Sequence, residues 1–126
     1  MERCQMIVAG FGFRGAVTEA ALADALAQMG DVVPDVLAAP DDKIDTPAFR
    51  SFAAKTQAQV VPVTAEALQS VHTPTQAERI LEKRGTGSVA EACALAAAGP
   101  KAALLTTRHI SSDRMATCAL AKGERA

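Results

Sequence analysis

Three short apolar runs, each followed by a helix-start signal, limit what this chain can fold into. Residues 5–10 (QMIVAG), 35–40 (DVLAAP) and 59–63 (QVVPV) are too short for ordinary helices. They have the continuous apolar character of strands buried on both faces. Pro62 places the third at an edge or a strand end. Leu22, Ala25, Leu26 and Met29 recur at helical spacing after the first run, and Gly30 stops that helix. After the second, Thr46-Pro47 reads as an N-cap with proline at the first helical position, and Phe49, Phe52, Ala53 and Thr56 share one face. Thr64 caps a short helix after the third. Thr73-Pro74 opens a further helix burying Ala77, Ile80 and Leu81, and Ser88 with Glu91 frames a capping box for an Ala-rich helix ending at Gly99-Pro100.

Two last strands, residues 102–106 (AALLT) and 115–121 (MATCALA), are joined by residues 107–114, too few for a helical crossover. They therefore pair antiparallel. The alternation predicts an α/β fold, a single-domain layered sandwich over residues 1–121. Its sheet is mixed, mostly parallel and five-stranded, with helices on both faces and an antiparallel C-terminal strand pair. Residues 122–126 (KGERA) read as a frayed tail.

With 126 residues and 49% hydrophobic content, the chain can bury a core without staples. A net charge of −1 gives no broad attraction for nucleic acid or anionic membrane, and the absence of Trp and Tyr removes most base-stacking platforms. Cys4, Cys93 and Cys118 form no Cys-x-x-Cys pair, so neither a metal site nor a disulfide framework is expected, and no cofactor is implied. The start has no signal-peptide pattern and no apolar stretch is long enough to span a bilayer, which fits a soluble, cytoplasmic protein with reduced thiols.

Three segments carry candidate chemistry. Residues 10–15 (GFGFRG) match G-x-G-x-x-G between a strand and a helix, so Gly10, Gly12 and Gly15 would let backbone N–H groups approach an anion, with Phe13 and Arg14 beside it. A Rossmann-type dinucleotide site is one reading, with Asp41 or Asp42 as its acidic partner. A tight turn that needs glycine for steric reasons alone is another. Gly85, Thr86, Gly87 and Ser88 present successive N–H groups at a helix start, although the capping box and the stop of the preceding helix also account for them. Arg108, His109, Ser111 and Asp113 occupy one loop, where a triad is a poor reading because nucleophile, base and orienting group come from separate segments. That loop is expected to be a solvated hairpin in which Arg108 and His109 are available to a ligand. Strand ends and helix starts share one edge of an α/β sheet, so these segments converge if the second glycine corner faces that edge. Two N–H nests and two arginines there would suit a ligand with several carboxylates.

Residues 85–99 (GTGSVAEACALAAAG), the N-terminal Gly-x-Gly turn carrying Arg14, the Thr-Pro helix (TPTQAERILEKRG) and the strand-loop-strand ending occur in an order that resembles the CobE/CbiG C-terminal-domain family of cobalamin biosynthesis. The likeness spans nearly the whole chain, and its length resembles the free-standing CobE form. The resemblance implies a part in building the corrin ring, with a corrinoid or precorrin intermediate as partner and other corrin-pathway enzymes as further candidates. Such macrocycles carry acetate and propionate arms. It also implies an alternative activity, hydrolysis of the ring-A lactone of a precorrin-5A-type intermediate, for which Glu91 and His109 are the available bases. Phe13 and Gly15 stand where the family is expected to have Cys and a second basic residue, and Arg108 stands in place of Lys. Anion binding survives those departures better than hydrolase chemistry does. The expected ligand contacts are Gly10, Gly12, Phe13, Arg14, Gly15, Gly85, Thr86, Gly87, Ser88 and Arg108.

Overall fold

Strand β1 (Gln5–Phe13) serves two cores at once, with Val8 facing one and Ala9 and Phe11 the other. Such a strand belongs in the middle of a sheet covered on both sides. The computed structural model describes residues 5–13, 16–30, 32–71, 88–99 and 102–124. After β1 come α1 (Glu19–Ala27), β2 (Val36–Pro40), α2 (Pro47–Thr56), β3 (Gln59–Val63) and α3 (Ala65–Ser70). The chain is then described from α4 (Val89–Ala98) through β4 (Ala103–Ile110) and β5 (Ala116–Glu124).

The strands form one five-stranded sheet in the order β3-β2-β1-β5-β4. β2 lies parallel to β1 and to β3, whereas β5 is antiparallel to both β1 and β4. Thus β1, β2, β3 and β4 share a direction, and their C-terminal ends meet the start of β5 along one edge. Helices α1 and α2 cover one face, where Phe11 meets Phe49 and Phe52 edge-on at centroid distances of 6.0 and 5.5 Å. Helices α3 and α4 cover the other. The predicted layered sandwich is what forms.

Helix α4 lies unusually close to the sheet. A Cβ at Gly10 would sit 2.2 Å from the Ala90 carbonyl oxygen, and one at Gly123 would sit 2.1 Å from that of Ala98. Only glycine permits this approach, and the alanines of α4 complete it by adding little bulk of their own. The contacts also fix direction: the start of α4 lies beside the end of β1, and its end lies beside the end of β5.

Three boundaries differ from the sequence expectation. Residues 11–13 were expected in a glycine turn but continue β1, because they pair with β5 as far as Phe13 opposite Ala116. Strand β4 runs on to Ile110 with two register irregularities, where a loop was expected from residue 107. Lys122, Gly123 and Glu124 are not a frayed tail; they extend β5 opposite Ile7, Met6 and Gln5. The helix expected after Thr73 lies outside the described residues. Cys93 and Cys118 are both buried, and burial pushes the Cys118 thiol well above its usual range. Among the described residues no group of His, Cys, Asp or Glu could hold a metal ion, and no helix is long and apolar enough to cross a membrane.

Candidate functional site at the strand-end edge

The end of β1, the start of α4 and the β4–β5 turn come together at the edge where the parallel strands finish. A Cβ on Gly12 would lie 3.2 Å from that of Val89 and 2.9 Å from Thr117 Oγ1, so strand end and helix start are in contact. Thr117 Oγ1 donates to the Gly12 carbonyl at 3.2 Å and joins β5 to the same point. Ser88 caps α4: its hydroxyl accepts the Glu91 N–H at 3.3 Å, one half of the expected capping box. The positive end of the α4 dipole therefore faces this edge.

Glu91 is fully buried, and its Oε2 accepts the Arg108 backbone N–H at 2.9 Å. The carboxylate ties β4 to α4 and brings Arg108 beside the helix start. His109 pairs across the ladder with Cys118. Among the described residues no hydrogen bond joins His109 to Ser111 or Asp113. The Ser111 hydroxyl instead donates to Asp113 Oδ1 at 2.6 Å and accepts from Met115 and Ala116 N–H groups at 3.2 and 3.1 Å. These side chains build a turn, as the hairpin reading expected.

No sequence motif marks the side chains that anchor this turn. Asp24 Oδ2 on α1 accepts the Ser112 N–H at 2.7 Å, and Gln28 Nε2 donates to the Ile110 carbonyl at 2.8 Å and to Asp24 at 3.3 Å. Only the Asp24–Gln28 spacing is visible locally. The Ser112 N–H holds Asp24 below the usual carboxylate range, and the Ser111 hydroxyl does the same for Asp113, with further help from the Met115 N–H.

The two N-terminal phenylalanines part company. Phe11 is wholly in the core, while Phe13 is half-buried and stacks on Phe49 at 5.4 Å with planes 18° apart. On the α2 side an open groove of about 270 Å³ is lined by Ile44, Asp45, Phe49, Arg50, Ala53 and Val60. Its one cation is opposed by one carboxylate, so it does not select an anion. Of the expected contacts, Gly10, Gly12, Phe13, Ser88 and Arg108 are described. Gly10 faces α4 within the sheet, whereas Gly12, Ser88 and Arg108 gather at the edge on the α4 side, and Phe13, at the same strand end, turns its ring to the α2 side. Arg14, Gly15, Gly85, Thr86 and Gly87 lie outside the described residues. Gly10 and Gly12 serve the packing of α4, and α1 begins only at Glu19, a layout that does not follow the dinucleotide fingerprint.

Residues 7–121 match the family model described as cobalamin synthesis G C-terminus. The fold is similar to the crystal structure of CobE, described as a protein from the cobalamin (vitamin B12) biosynthetic pathway. The TM-score is 0.80 at 30% identity, over 97% of this chain and 94% of that one. It is also similar to the cobalamin biosynthesis protein chiG from Agrobacterium tumefaciens str. C58, with a TM-score of 0.68 at 31% identity, over 91% of this chain and 96% of that one. No curated protein sequence matches the chain.

Proposed function

Because the chain belongs to the cobalamin synthesis G C-terminus family, we propose that it binds a polycarboxylate tetrapyrrole intermediate of corrin-ring construction at the strand-end edge. The observation that carries this reading is the contact of the β1 end with the α4 start at Gly12 and Val89, beside Arg108. An aligned helix dipole, capped but still electropositive, and an arginine favour carboxylates over neutral or cationic ligands. Phe13 offers a partly exposed ring at the same edge, suited to the rim of a macrocycle. Binding rather than hydrolysis is the better reading of the described residues. Glu91 is engaged in holding Arg108, and His109 makes no hydrogen bond to the Ser111 hydroxyl.

Absorbance titration with hydrogenobyrinic acid, a corrinoid with free carboxylate arms, tests this directly. Saturable binding is expected, weakening as salt is raised and falling about tenfold in Arg108→Ala or Arg14→Ala, the loss of one charge-assisted pair. A flat titration with this corrinoid and with earlier pathway intermediates would remove the proposal. Acetaldehyde release at catalytic turnover from the lactone form would replace binding with hydrolysis.

A further inference from the structure

Arg114 is a residue that no motif marks and that the fold singles out. It is one of two non-glycine residues with positive φ among those described, at 62°, in the left-handed region that favours glycine or asparagine. Its N–H donates to the Ser111 carbonyl at 2.8 Å, which closes the turn, while its side chain is exposed. Among the described residues its guanidinium makes no ion pair.

The turn that carries it is firmly built. The buried Ser111 hydroxyl takes two N–H groups, Asp113 takes the Met115 N–H at 3.0 Å, and Asp24 and Gln28 fasten the turn to α1. Both nearby carboxylates are turned to backbone N–H groups, which leaves the guanidinium as the charge the turn offers outward. The turn follows Ile110 and precedes Ala116, which pairs with Phe13, so it stands over the edge occupied by Phe13, Gly12 and Arg108.

We propose that Arg114 is a ligand-binding cation, presented by the β4–β5 turn to a carboxylate arm of the polyanion bound at the strand-end edge. This inference rests on the binding reading above. A strained residue on a rigid turn is a preorganised one: the cost is met in folding, so little order is lost when the ligand arrives.

The test uses the full chain with hydrogenobyrinic acid, comparing the unaltered protein with Arg114→Asn and Arg114→Lys. Asn adopts positive φ more readily than Arg, so its thermal midpoint should equal or exceed that of the unaltered protein. Its affinity should nevertheless fall about tenfold, with a shallower salt dependence. Lys, which restores the charge without the planar fork, should recover part of the loss. Affinity of Arg114→Asn within twofold of the unaltered protein would overturn the role of Arg114 and leave the binding reading intact. No binding by the unaltered protein would overturn both.

Discussion

Gly10 and Gly12 lie two residues apart on one strand and face the same helix, yet they tolerate a methyl group very differently. A Cβ at Gly10 would meet backbone on two sides, Ala90 O at 2.2 Å and Ala94 N at 2.4 Å. Neither can rotate away, so α4 would have to lift from the sheet. In a core packed to crystal-like density this exceeds ordinary overpacking, and Gly10→Ala should cost about 3 kcal/mol or more. At Gly12 the closest atom is Thr117 Oγ1 at 2.9 Å, a side chain that can turn aside by giving up its hydrogen bond to the Gly12 carbonyl, and Gly12→Ala should cost about 1 kcal/mol. Urea unfolding of the two variants checks the ranking; equal costs would mean that α4 does not rest on β1 as described. Glu91 makes a related case. Glu91→Ala would strand the part-buried Arg108 N–H and leave a hole where the fully buried side chain was, at about 2–4 kcal/mol. Glu91→Gln keeps an acceptor and should cost less in the same measurement.

The β4–β5 turn and α1 behave as one element, because the bonds that shape the turn are shared with the helix. Asp24 and Asp113 both have lowered pKa values in the folded chain, owing to hydrogen bonds from Ser112 and Ser111. Their contribution to stability is therefore complete above the ordinary carboxylate range near pH 4 and disappears as pH falls through the lowered folded values. Asp24→Asn should be less stable than the unaltered protein at pH 7, and the gap should close toward pH 2 in denaturant titrations. A gap independent of pH would mean that the Asp24 charge does not hold the turn. The same element marks where sequence reading stops. The Ser88 cap was legible because the hydroxyl and its partner are three residues apart. The Asp24 bond to Ser112 spans 88 residues, and no local pattern announces it. The end of β4 was also illegible, since two register irregularities break the alternation that marks a strand. The helix start at Thr64 was clear, as its side chain accepts the N–H three residues on.

Across the whole molecule, the two ends of the sheet do different work. The candidate site occupies the edge where β1 and β4 finish, whereas the far edge joins the two ends of the chain. There Gln5, Met6 and Ile7 pair with Glu124, Gly123 and Lys122, and Gly123 lies against the last turn of α4. The alternation of strands and helices in the sequence was enough to give the layered sheet. It gave no sign that Lys122, Gly123 and Glu124 extend a strand, because polar residues at a sheet's end look like a tail until their partner strand is known. A chain ending at Ala121 separates the two roles. It would lose the pairing of residues 122–124 with β1, and at about 1 kcal/mol per backbone hydrogen bond it should be about 2–4 kcal/mol less stable. The edge bearing Gly12, Ser88, Arg108 and Arg114 is left untouched by that cut. At a temperature where the shortened chain is still folded, its affinity for hydrogenobyrinic acid should stay within about twofold of the full chain, since binding draws only on the folded population. Unchanged unfolding midpoints would show that β5 adds nothing beyond Ala121. An affinity loss in the folded, shortened chain would mean that the ligand reaches past the strand-end edge, and the site would have to be redrawn.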